Sequence, residues 1–156
     1  MVVRKTNELT GQRPTTNDQR LMADTFQLEI VTPEKMVVRD VAEEMQIPGK
    51  DGYLGILPGH APLITELAVG EITYVKDNYT HHLSVAWGFA EVLPNKVTIL
   101  AETAERAEEI DARRAQEAKQ RAESHLTSCN TEEDFNRTAG DLKRAETRLE
   151  VATKKK

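Results

Sequence analysis

The side chains with most chemistry to offer are four histidines, one cysteine and a group of arginines in the last third of the chain. His60, His81, His82 and His125 read as scattered. His81 and His82 are neighbours on an expected strand, so they point to opposite faces and cannot share a ligand. Cys129 reads as a loop or packing thiol rather than a nucleophile. Gly49, Gly52, Gly55 and Gly59 are not followed by Lys-Ser or Lys-Thr, which rules out a phosphate cradle of the P-loop form. No catalytic group and no metal site are expected. The arginines differ. Arg114 and Arg121 are seven residues apart, two turns along one helix face. Arg144 and Arg148 are four apart on what reads as the antiparallel partner. Four guanidiniums so placed can converge on a triphosphate, whose oxygens suit bidentate forks. The competing reading is a set of surface ion pairs, worth about 0–1 kcal/mol each.

Two helices must position those arginines. From Ala101 to Lys156 the chain is dominated by Ala, Glu, Arg and Lys, with no proline and one glycine. Asp111, after Ile110, reads as an N-cap, with a start nearer Thr103 as the alternative. Ala115, Ala118 and Ala122 form a stripe of small residues that ends at Leu126. The stretch from Thr127 to Thr131 breaks it, and Thr131 with Asp134 resembles a capping box. Phe135, Ala139, Leu142, Ala145, Leu149 and Ala152 form the expected facing stripe. A short loop between complementary stripes predicts an antiparallel hairpin. At about 25 cal/mol per Å², its alanines supply little burial energy, so weak docking is expected.

The middle of the chain reads as strands. Phe26, Leu28 and Ile30 alternate with polar residues, and so do Met45 and Ile47, Ile72 and Tyr74, and Val97 and Ile99. Leu83, Val85, Trp87 and Phe89 form the strongest alternating row, and Gly88 within it signals a bulge or a close backbone approach. Turns are expected at Pro33-Glu34, Pro48-Gly49, Asp77-Asn78 and Pro94-Asn95. Short strands without intervening helices predict a small antiparallel sandwich or barrel. From Gly52 to Thr65, glycines and prolines alternate with aliphatic pairs, which predicts a tight apolar bend rather than a regular element. A core hairpin is one reading of it and a docking surface the other.

Composition limits the function. The chain has 156 residues and a formal charge of −5, which argues against a nucleic-acid footprint. One cysteine precludes an internal disulfide. No apolar run reaches the roughly 18 residues of a membrane span, and no signal peptide is evident. Membrane association is expected only through a partner. Residues 1–22 read as a disordered extension, 23–101 as the β-sandwich and 102–156 as the helical hairpin.

Several of these segments resemble the ε subunit of bacterial F-type ATP synthases, called δ in mitochondria. The most specific is Leu54-Gly55-Ile56-Leu57-Pro58-Gly59-His60-Ala61-Pro62-Leu63. Gly88 after Trp87, the strand end Val97-Thr98-Ile99-Leu100-Ala101 and Asp111-Ala112-Arg113-Arg114-Ala115 also fit. The similarity runs from Thr25 to about Lys154. It implies a β-sandwich followed by a two-helix hairpin, in a non-catalytic rotor subunit of a proton-translocating enzyme. The partners implied are the γ subunit, the ring of c subunits and, through an extended hairpin, the catalytic α/β hexamer. The place implied is the cytoplasmic face of the bacterial inner membrane. Tyr53, Leu54, Gly55, Ile56, Pro58, Gly59 and His60 are implied to meet γ and the c ring. Some relatives have an acidic residue where Tyr53 stands, so its ring and hydroxyl are expected to anchor instead. Inhibition of ATP hydrolysis by the extended hairpin is also implied.

Ile110-Asp111-Ala112-Arg113-Arg114-Ala115 further resembles a nucleotide motif of some ε subunits, with Glu105 and Arg121 at matching places and Arg144 and Arg148 on the second helix. The resemblance implies ATP as a regulatory ligand, bound without hydrolysis, and no cofactor. The alternative is a free-standing sandwich that binds a small ligand and dimerises through its helical tail.

Overall fold

The computed structural model describes residues 24–155, so the expected N-terminal extension lies outside the described residues. Eight strands come first: β1 (Phe26–Val31), β2 (Met36–Ala42), β3 (Glu44–Gly49), β4 (Gly52–Ile56), β5 (Leu63–Leu67), β6 (Gly70–Lys76), β7 (Tyr79–Leu93) and β8 (Lys96–Arg106). A 3₁₀ turn (Ala107–Glu109) leads into α1 (Ala112–Leu126) and α2 (Glu132–Ala152). The order β2-β1-β8-β7-β5-β3-β4, with β6 bridging β3 and β7, makes a β-sandwich. All pairings among the described residues are antiparallel except β1 with β8. Leu28, Ile30, Ile47, Ile56, Ile72, Tyr74, Leu83 and Ile99 fill its core. A second, separate cluster of Ala107, Ile110, Val151 and Ala152 joins the hairpin to the end of β8.

The long strands β7 and β8 pass from one layer to the other at Trp87-Gly88. Before this point β7 pairs with β6, and after it with β5. Trp87 has φ 55° and Gly88 has φ 125°, the former an uncommon and strained value for a bulky residue. The β7–β8 register has the same offset on either side of Trp87, so no residue is inserted. The parity of inward side chains changes instead. Leu83 and Val85 face the core before the kink, and Ala90 and Val92 after it. The expected inward row therefore stops at Val85: Trp87 is half-buried and Phe89 is 53% exposed. Of the two readings of Gly88, close backbone approach is the one found. A Cβ there would lie 2.0 Å from the Leu100 carbonyl oxygen.

Other expectations need correction. Gly52 to Ile56 forms a regular edge strand, because Tyr53, Leu54 and Ile56 carry enough bulk to pair with β3 despite the flanking glycines. Only Leu57 to His60 turns, closed by a bond from His60 N to Leu57 O of 3.1 Å. Pro48 and Gly49 belong to β3, and the turn falls two residues later, at Lys50-Asp51. Strand β8 runs to Arg106, past the boundary expected at Ala101, because its Ala and Glu residues carry no β signature. In α2 the buried residues are Thr138, Ala145, Thr147, Val151 and Ala152, whereas Phe135 is 49% exposed. Thr147 is accommodated by donating its hydroxyl to Lys143 O at 2.8 Å.

Replacing Gly88 with alanine is expected to cost about 3 kcal/mol or more, since both the φ value and the Leu100 carbonyl oppose a Cβ. Gly55→Ala, with nothing within 4 Å of the added methyl, should change stability by about 0.5 kcal/mol or less. Denaturant unfolding of the two variants checks the contrast.

Candidate functional site

The hairpin starts where the sequence places its cap. Asp111 Oδ1 accepts from Arg114 N at 3.1 Å, and this bond foremost holds the carboxyl below its usual range. Ile110 is 1% exposed and anchors the preceding turn on Val151 and Ala152. Thr131 caps α2 by accepting from Asp134 N at 3.0 Å. Ala115 and Ala122 of α1 and Ala145 of α2 are buried, so the two helices approach closely.

Close approach brings two charged rows together. Arg114, Ala118, Arg121 and His125 follow one face of α1, and Arg137, Asp141, Arg144 and Arg148 one face of α2. With Thr103 and Glu105 of β8 they line a cavity of about 570 Å³ between hairpin and sheet. Arg148 forks onto Glu105: Nη2 donates to Oε1 at 3.3 Å, and Nε lies 2.8 Å from Oε2 but off the N–H axis. Arg144 donates to Asp141 at 3.0 Å, and its guanidinium lies 5.5 Å from the centre of the Trp87 ring. The side chains of Arg114 and Arg121 have no carboxylate partner among the described residues. Arg113 points elsewhere and pairs with Glu117 at 2.9 Å. Five arginines against two carboxylates leave the cavity positive, with two cations uncommitted. The chemistry on offer is recognition of a multiply charged anion.

Five of the expected ATP residues thus meet in one cavity: Glu105, Arg114, Arg121, Arg144 and Arg148. Ile110, Asp111 and Ala115 do not line it. Ile110 and Ala115 are buried as packing residues, and Asp111 is committed to the cap. Sequence reasoning missed Thr103, His125, Arg137 and Asp141, although steps of four from Arg121 and of three and seven from Arg144 reach the last three.

The expected docking loop is divided. Leu57 is 61% exposed and Tyr53 54%, and the Tyr53 hydroxyl accepts from Glu71 N at 3.0 Å. Gly59, with φ 85°, donates its N–H to Pro94 O at 2.8 Å, and His60 Nδ1 lies 2.7 Å from its neighbour's carbonyl, Ala61 O. Ile56, by contrast, is 1% exposed and belongs to the core, so it holds the loop from inside and presents no surface. A second apolar strip, missed from sequence, runs over the outer face of β5, β7 and β8. Phe89 is paired directly with Leu100, and Ile64 shares their face. All three are more than half exposed.

Known proteins decide the family. The ATP synthase Delta/Epsilon chain beta-sandwich domain matches residues 25–107, and the long alpha-helix domain of the same chain matches residues 108–153. The chain belongs to the ATP synthase delta/epsilon family. The ATP synthase epsilon chain of Koribacter versatilis is 71% identical over 111 residues, covering 71% of this chain and 78% of that one. Those of Nitratidesulfovibrio vulgaris and Solibacter usitatus are each 45% identical, covering 83% and 86% of this chain and 97% and 100% of theirs. Among solved structures, a chain of the Euglena gracilis mitochondrial ATP synthase shares the fold at a TM-score of 0.71 and 22% identity, with 83% of this chain and 82% of that chain covered. This family member is thus a bacterial-type epsilon chain with both family domains present.

Because the Asp111 carboxyl is depressed in the fold, its cap is fully formed above about pH 4 and is lost as pH falls through the lower folded value. Asp111→Ala should lower the hairpin's helical unfolding midpoint at neutral pH, whereas Asp111→Asn should keep the cap and lose its acid sensitivity. Circular dichroism melts between about pH 3 and 7 check this.

Proposed function

We propose that this chain is a non-catalytic central-stalk subunit of a proton-translocating F-type ATP synthase. In this reading its sandwich links γ to the c ring, its hairpin restrains ATP hydrolysis, and the arginine cavity senses ATP. The enzyme would lie with this subunit on the cytoplasmic face of the bacterial inner membrane. Family membership supports the assembly. The cavity supports the sensing, and one observation carries it: two uncommitted guanidiniums on α1 face two on α2 that are held by Glu105 and Asp141.

The cavity exists only while the hairpin lies on the end of β8, since Thr103 and Glu105 form one wall. A ligand that needs both helices and that strand therefore favours the compact state by its differential affinity. ATP phosphates would bridge Arg114 and Arg121 to Arg144, with Arg148 held in place by Glu105. When ATP is scarce, Arg114 and Arg121 face the cavity without an anion of their own, and the extended state gains. For docking, exposed Leu57 and Tyr53 and the strip of Ile64, Phe89 and Leu100 offer apolar area of the kind that partner surfaces use.

Calorimetry on the full chain is expected to show one ATP bound, with affinity reduced about tenfold or more by Arg114→Ala or Arg121→Ala, since each removes a charge-assisted bond. A chain ending at Arg106 keeps all eight strands; in the complex it should assemble and raise ATP hydrolysis. Equal heats for all variants would refute the sensing, and unchanged hydrolysis would refute the restraint.

A further inference from the structure

The turn between the helices gathers three different ligand types. His125 sits in the last turn of α1, Cys129 in the connection and Asp134 in the first turn of α2. One imidazole nitrogen, the thiol sulfur and a carboxylate oxygen all lie within 4.8 Å of one another. His125 Nε2 is already 3.2 Å from Asp134 Oδ2. Tetrahedral zinc, with bonds of about 2.0–2.3 Å, sets its ligand atoms about 3.3–3.8 Å apart. The sulfur therefore has only about 1 Å to travel, which a small side-chain rotation supplies.

The backbone around the cluster is already ordered. Ser128 N donates to His125 O at 2.9 Å, and Asp134 N to Thr131 Oγ1 at 3.0 Å. A second observation concerns the Asp134 carboxylate. In a capping box it would reach back to the N–H of the cap residue. Here it turns to His125 instead, and Arg137 donates to the same Oδ1. The cap is only half made, and the oxygen faces the imidazole and the thiol.

We propose that His125, Cys129 and Asp134 bind one zinc-class divalent cation, with water in the fourth position. The mixed sulfur, nitrogen and oxygen donors suit a borderline-soft ion and disfavour magnesium or calcium. Binding releases the thiol proton to solvent and moves the imidazole proton to Nδ1, so that Nε2 coordinates. The cation replaces Arg137 on Asp134 and returns that guanidinium to the adjoining cavity, which Arg137 and His125 both line. It also staples the end of α1 to the start of α2. The His125 side chain is 51% exposed, which leaves the ion a path in from solvent.

The test titrates the full chain, kept reduced, with zinc against a chromophoric chelator, and with cobalt as a spectroscopic probe. The expected result is one zinc per chain with a dissociation constant of about 10 µM or tighter, and a higher melting temperature of the hairpin. Cobalt should give a thiolate charge-transfer band and the intense visible bands of a tetrahedral site. Cys129→Ser and His125→Gln, each confirmed as folded by circular dichroism, should weaken zinc binding about tenfold or more, and His60→Gln should leave it unchanged. Weaker binding than this in the parent chain, or a cobalt thiolate band that survives Cys129→Ser, would overturn the site.

Discussion

The fork of Arg148 on Glu105 ties the helical hairpin to the sheet, and the cavity between them depends on it. It joins the end of β8 to the last third of α2, with the Arg148 side chain only 17% exposed. A pair this enclosed gives up much of its hydration, and one of its two contacts is off axis, so its net contribution is small. If the hairpin leaves, both groups regain water, and no buried charge is stranded. Around the fork stand a cluster of four apolar residues, the Arg144–Trp87 contact and, just past the end of α2, an ion pair of Lys154 with Glu71 of β6 at 2.7 Å. Such an interface specifies one position without a large apolar area to hold it, which is what a reversible dock requires.

The sheet contributes its share through one strained point. At Trp87-Gly88 the long β7–β8 ribbon changes layers, and the change carries the end of β8 toward the helices. The Trp87 ring then lies between the sheet and α2, where Gly140 leaves room for it: a Cβ at Gly140 would come 3.2 Å from the ring. A side chain at Gly140 presses on the ring over which Arg144 lies. Backbone strain, aromatic ring and arginine therefore form a chain of contacts from the core of the sandwich to the arginine-lined cavity.

Local chemistry was legible in the sequence wherever one residue decides the outcome. The caps at Asp111 and Thr131, the close approach at Gly88 and the convergence of Arg114, Arg121, Arg144 and Arg148 all follow from type and spacing. What depended on tertiary packing was not legible. Alternation predicts Trp87 and Phe89 inside, but the kink reverses parity and puts Phe89 out. Ile56 lies in a glycine-rich segment that suggests a surface, yet its strand pairing turns it into the core. Thr138 and Thr147 are polar by composition and buried by the narrowness of the helix interface. His125 and Cys129 stand four apart and could have been paired by spacing, but the turn of the hairpin that brings Asp134 to them was hidden for the same reason.

The proposed role requires that the hairpin leave the sandwich while the sandwich stays folded. Native-state hydrogen exchange measures this directly, as the free energy of opening at each amide. Amides of α1 and α2 should exchange through a common opening that costs clearly less than global unfolding, while β1, β7 and β8 exchange only with the whole molecule. ATP at saturating concentration should slow the helical amides and leave the strand amides unchanged. Helical amides that exchange only through global unfolding would contradict the account.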